Sequence, residues 1–329
     1  MGPVLGLMQL LLLATAGFVV GIALLSALVY PRLRGRLAAL PPAQRARILR
    51  WTCAAPLGGA ALLTGLCLLP SLLGIVWPEL DHCLVHDGHL HLCLVHPPAS
   101  LGGLLGWSVN GVFWGIVAAG IVAGARRALE AARSLQVLRQ AAHYDAAVGA
   151  HLIRSALPFS AAVGLFRQQV VLSTALAAAL PPALLRVVLA HEAAHVRRHD
   201  SFWQLLAALL ATAHMPYLRC QLLADLALAA EQACDEDAAT VTRDRLGVAQ
   251  AILFVERMLG DRVRPLPLMS GFGGSDVAAR VEALLVPPRR TRQWKMRAVE
   301  AGLVLALMAL APFDALHHWT ETLLGLFAR

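Results

Sequence analysis

Two histidines stand four residues apart in "HEAAH", His191 to His195, at the centre of an alanine- and leucine-rich stretch. On a helix that spacing puts both imidazoles on one face, where they can reach a single cation. Glu192 points elsewhere, close enough to take a proton from a water that the cation polarises. The pattern is that of metal-assisted hydrolysis, and zinc is the ion it implies. The competing reading is a polar helix face with two solvated histidines. The apolar N-terminal half of the same helix weighs against it.

Zinc needs a third protein ligand and an open position. His199 lies about 12 Å of helix rise from His191, too far to share an ion on one straight helix. The glycine turn that would bring a third histidine back is missing from "VRRHD". A carboxylate on a later helix is the other solution, and "EQACD" offers Glu231, with Asp235 four residues on and on the same face. Asp235 could accept a hydrogen bond from a ligand imidazole and fix its tautomer. Asp225, Glu236 and Asp237 are competing carboxylates nearby. Arg280, in "ARVEALL", is a candidate for stabilising an oxyanion. His214, ending an apolar stretch, reads better as an interfacial residue.

A second cluster, "DHCLVHDGHLHLCLVH" from Asp81 to His96, holds five histidines and two cysteines. Asp87-Gly88 suits a hairpin turn, and register decides the chemistry. A two-residue turn puts His82, His86, His89, His91 and Cys93 on one face, which could bind metal. A three-residue turn sets Cys83 opposite Cys93 and permits a disulfide, which an oxidising envelope favours. A loop with neither is the third alternative.

The elements that must carry these groups are mostly apolar. Of 329 residues 58% are hydrophobic and 15% charged, with a mean hydropathy of +0.64, which points to an integral membrane protein. The net charge of +8 does not indicate nucleic-acid binding, because no basic block with interleaved aromatics occurs and the basic clusters flank apolar segments. Val4–Tyr30, Trp51–Trp77 and Leu101–Gly124 read as spans, and Val299–Phe313 as a shorter fourth with Lys295 and Arg297 snorkelling. The loop Pro31–Arg50 carries six arginines, whereas Pro78–Ser100 has no arginine or lysine. By the positive-inside rule the first is cytoplasmic and the second external. The N- and C-termini are then outside and the HEAAH segment inside. The expected units are 1–124 (three spans), 125–296 (a cytoplasmic domain) and 297–329 (the fourth span and a short tail). Within the domain, Arg126–Ala142 extends the third span as an amphipathic helix. "HLIRSAL", "FSAAVGL" and "QVVLST" are β-prone. Pro181-Pro182 opens one long helix running through His214, and two more helices follow.

HExxH followed by ExxxD on a later helix is the pattern of membrane-bound gluzincins. The run "VVLSTALAAALPPALLRVVLAHEAAHVRRHD" resembles the BlaR/MecR family of antirepressor peptidases, and so does the layout of spans around a cytoplasmic protease segment. The fold this implies is a mostly α integral membrane protein, about four transmembrane helices with an inserted cytoplasmic α+β zincin-like (gluzincin) domain. The resemblance also implies zinc held by His191, His195 and Glu231, with Glu192 as general base. The implied setting is a bacterial cytoplasmic membrane, and the implied substrate a cytoplasmic protein, a winged-helix DNA-binding repressor. β-Lactam sensors of the family carry a penicillin-binding domain after the last span. Here about sixteen residues follow Phe313, so a transducer without that sensor is expected. The rivals are a quality-control membrane protease and a non-catalytic envelope metal or redox sensor or adaptor. Homodimerisation is left open.

Overall fold

A computed structural model of the chain describes residues 2–77, 92, 94, 103–259, 270–271, 277–286 and 319–323. The cluster expected to be external, with Cys83, Cys93, His82, His86, His89 and His91, and the expected span Val299–Phe313 lie outside the described residues.

Long apolar stretches make three long helices, which run on through the interior prolines Pro31, Pro56 and Pro70: α1 (Gly2–Ala38), α2 (Pro42–Val76) and α3 (Gly103–Ala141). Each contains a stretch long and apolar enough to cross a membrane: Val4–Ala38, Pro42–Val76 and Gly106–Arg126. The arginine-rich loop expected over 31–50 shrinks to a turn. Residues 31–38 continue α1, and α2 begins at Pro42, where a proline costs no hydrogen bond. α3 runs on past its apolar part to Ala141, as the amphipathic pattern predicts.

A small mixed sheet follows, with strands β1 (His143–Asp145), β2 (Ala150–Ile153), β3 (Ser160–Val163), β4 (Gln169–Ser173) and β5 (Ser270–Gly271) in the order β1-β2-β4-β3-β5. β2 and β4 pair parallel and the other contacts are antiparallel. The three β-prone runs are all interior strands. The described edges are β1 and β5, two short strands without an apolar run to announce them.

The helices of this region are α4 (Thr174–Ala179), α5 (Pro182–Arg198), α6 (Asp200–Leu210), α7 (Pro216–Thr242), α8 (Arg245–Leu259) and α9 (Val277–Leu285). Leu172, Leu176, Val188, Ala238, Ile252 and Leu284 are buried together between sheet and helices. The single long helix expected from Pro182 onward is in fact two. His199 takes the left-handed conformation, φ 53°, and ends α5, so that Asp200 opens α6 on a new axis.

α6 and the 3-10 turn Ala211–Ala213 return toward the spans. On α3, a Cβ at Gly124 would come within 2.8 Å of Leu209, and one at Gly120 within 3.5 Å of Thr212. The absent side chains are what allow the close approach. His214 then bonds the Thr52 carbonyl of α2 at 2.9 Å, a buried anchor at the helix junction.

Candidate metal centre

α5 and α7 pack face to face and bring three side chains to one point. His195 Nε2 lies 3.2 Å from His191 Nε2 and 3.4 Å from Glu231 Oε1. His191 Nε2 lies 3.4 Å from Glu231 Oε2. His191 and His195 are wholly buried and Glu231 nearly so. Of the candidate carboxylates, Glu231 is the one that meets both imidazoles. Asp225 is instead held by α1, accepting from Tyr30 at 2.5 Å and from both nitrogens of the Arg34 fork at 2.7 Å.

Each imidazole has its other nitrogen on an aspartate. His191 Nδ1 is 2.9 Å from Asp235 Oδ1, and His195 Nδ1 is 3.0 Å from Asp200 Oδ2. A Nδ1–H donated to a carboxylate leaves the Nε2 lone pair facing inward. With both imidazoles neutral, two lone pairs and a carboxylate converge on one point where a cation can be held. The spacing also suits one: ligands at 2.0–2.1 Å in tetrahedral array stand about 3.3–3.4 Å apart, against 3.2–3.4 Å here. The donor set, two imidazoles and a carboxylate, is one that zinc takes.

Arginines balance the aspartates. Arg280 forks onto Asp235 at 2.9 and 2.7 Å and reaches Glu231 Oε2 at 3.1 Å. Asp200 accepts from Arg50 of α2 at 2.8 Å and from Arg198 at 3.3 Å. Burial alone would raise the carboxyl of Glu231. Arg280 and the histidines overcome that and hold it well below the usual range. Asp235 is likewise held low, by Arg280 and His191 against burial, and Asp200 by His195, Arg198 and Arg50. Burial pushes both imidazoles down, but Asp235 and Glu231 outweigh it at His191, and Cys234, Glu231 and Asp200 at His195, so both sit above the ordinary histidine value. The oxyanion role expected for Arg280 would need it aimed elsewhere. Its guanidinium is on two carboxylates and wholly buried.

Glu192, between the two histidines in sequence, is wholly buried. Oε1 accepts from Ser160 Oγ of β3 at 2.8 Å, and Oε2 has no hydrogen-bond partner among the described residues. Burial raises its carboxyl above the usual value. A buried carboxylate with one fixed and one open oxygen is suited to receive a proton.

Three participants escape a reading of the sequence. Asp200 is five residues after His195, about 140° around a straight helix from it. Only the turn at His199 brings it back. Ser160 comes from a strand, and the Cys234 thiol donates to Asp200 at 3.4 Å while burial pushes it up to about 12, so it stays a thiol. No motif links either to the histidines. The nearest sequence signal is a polar residue opening an apolar strand, and that is weak.

A family model described as BlaR1 peptidase M56 matches residues 109–284, from α3 to α9 and through every group just described except Arg50 and those of α1. No curated protein and no solved structure matches the chain.

Proposed function

Because the chain belongs to the BlaR1 peptidase M56 family, a family of metallopeptidases, we propose that it is a zinc-dependent endopeptidase of a membrane signalling system. His191, His195 and Glu231 hold the ion, Asp235 and Asp200 orient the imidazoles, and Glu192 is the general base. The observation that carries this is the convergence of two Nε2 atoms and one carboxylate at 3.2–3.4 Å, with Glu192, buried on the same helix as the two histidines, keeping one oxygen unpartnered among the described residues.

The ion, when bound, supplies Lewis acidity, which makes a water more acidic and a peptide carbonyl more electrophilic. Glu192 takes the proton from the attacking water at Oε2 and later gives it to the leaving nitrogen. Ser160 holds Oε1 and so fixes which oxygen is presented. Arg280 keeps Glu231 and Asp235 ionised, so both remain acceptors in a buried place.

The substrate is a cytoplasmic protein, and by the family resemblance a winged-helix repressor. The setting is the bacterial cytoplasmic membrane, crossed several times, with the protease on the inner side. Contacts along α2 support that topology. Its arginine-bearing end touches the domain, Arg50 on Asp200 and Arg45 on Gln232. At its other end Ser71 bonds Leu92 of the loop expected to be external, and Glu321 of the C-terminal tail accepts from the same residue at 2.8 Å. These are the contacts that a tail and a loop on the same side of the membrane would make.

The test uses the full chain in detergent, metal analysis and a repressor substrate. Wild type is expected to carry one zinc and cleave. Glu192→Gln is expected to keep the zinc and lose at least ~100-fold in rate. Full activity in that variant overturns the assignment.

A further inference from the structure

We infer that Arg50, on the second apolar helix and outside the region matched by the family model, is a positioning residue for the metal ligand His195, acting through Asp200. The inference rests on the metal-site reading above and adds to it a link from a membrane helix to one ligand.

The Asp200 side chain is wholly buried and divides its two oxygens between different tasks. Oδ2 faces His195 Nδ1 at 3.0 Å, with Arg198 at 3.3 Å and the Cys234 thiol at 3.4 Å. Oδ1 accepts from Arg50 Nη2 at 2.8 Å. The terminal torsion of an aspartate is broad, so a carboxylate held at one oxygen pivots. Held at both, it presents Oδ2 to the imidazole in one orientation. Arg50 is itself fixed: its guanidinium carbon stands 5.2 Å from the centroid of the Trp203 ring on α6. Its helix is tied to α7 close by, where Arg45 bonds Gln232, the neighbour of ligand Glu231. The carboxylate that accepts from a ligand imidazole fixes its direction and basicity, so what holds that carboxylate bears on the ligand through it.

His191 provides the internal comparison. Its aspartate, Asp235, is backed by Arg280 from α9, inside the protease region. Among the described residues, His195 is the ligand imidazole whose aspartate is backed directly by a residue of a membrane helix. The position of α2 relative to α6 therefore bears directly on His195.

The experiment compares Arg50→Met, Arg50→Lys and Arg34→Met in the full chain. Arg34 is the control: it ties α1 to α7 through Asp225 and touches no ligand. Zinc affinity is read by competition with a chromophoric chelator, and folding by thermal unfolding in the same detergent. Arg50→Met is expected to weaken zinc binding roughly tenfold, in line with other outer partners of metal ligands. At saturating zinc kcat should fall with KM little changed. Arg50→Lys, which keeps the charge at Oδ1, should recover most of the affinity, and Arg34→Met should leave it at the wild-type value. Wild-type affinity in Arg50→Met overturns the inference, as does an equal loss in Arg34→Met, which would mean that any loosening of the helices suffices. A wild-type chain that binds zinc but cleaves nothing overturns the peptidase reading instead, since the affinity comparison needs no turnover.

Discussion

Replacing Arg280 by methionine removes the cation shared by Glu231 and Asp235 while keeping a side chain of similar reach. The guanidinium is fully buried and makes three contacts of 2.7–3.1 Å with those carboxylates. Taking one partner from a buried ionic group costs about 3–5 kcal/mol, which corresponds to roughly 2–4 pKa units spread over the pair. In the wild type both carboxyls are held low, so the stability they contribute is complete above the ordinary carboxylate range and lost as pH falls through the lowered values. Without Arg280, burial acts unopposed by that charge and the pair retains a proton to higher pH. Zinc must then displace it. The expected result is weaker zinc binding whose pH dependence gains up to about one proton. The gap in melting temperature between metal-free protein and protein at a fixed excess of zinc should narrow, because weaker binding to the native state stabilises it less. Chelator competition from pH 6 to 9 and paired melts measure both. Wild-type affinity with the wild-type pH slope would refute the assignment of Arg280 as charge balance for the ligand set. Arg280→Lys, a point charge without the fork, should fall between the two.

Ser160→Ala withdraws the hydrogen bond that stabilises the Glu192 anion. A bond to a charged group is worth about 1.5–3 kcal/mol, so the acid limb of kcat/KM should move up by roughly 1–2 pH units, and an unmoved limb argues against Glu192 as the base. Both ligand imidazoles are raised, so their stabilisation of the metal-free protein is present below about 6.5 and fades as pH climbs through the raised values. Zinc displaces those protons, and its affinity should rise with pH with the release of up to about two protons per ion. Calorimetry in buffers of different ionisation enthalpy counts them, and an affinity independent of pH would contradict the ligand set. His199→Gly should raise the melting temperature: relief of the left-handed strain is worth about 1–2 kcal/mol, less about 0.5–1 for glycine's chain entropy. A lowered melting temperature would show that the exposed His199 side chain contributes to the native state.

The ligand pair was legible because helical periodicity alone sets His191 and His195 on one face, and the same periodicity ties Glu231 to Asp235. Glu231 needed the further step of choosing among carboxylates, which spacing narrows and tertiary packing decides. Asp200 was hidden for a definite reason. Its approach to His195 depends on a positive φ at a histidine, and no glycine or asparagine marks the place. Arg280 could be picked out as a buried-helix oddity, but its partners lie 45 and 49 residues away in sequence, beyond any local rule. Of the sheet, β2, β3 and β4 could be read from their apolar runs. The parallel pairing of β2 with β4 and the short edge strands could not, since two or three residues carry no period.

Gly120 and Gly124 stand four apart on the apolar part of α3, the small-xxx-small spacing through which membrane helices commonly associate with one another. Here the groove is filled from within the chain, Leu209 and Thr212 lying where a second helix would need to approach. A reader of that spacing would expect a contact between copies. The face is already used, and an assembly of two chains would have to be built on some other surface of the spans.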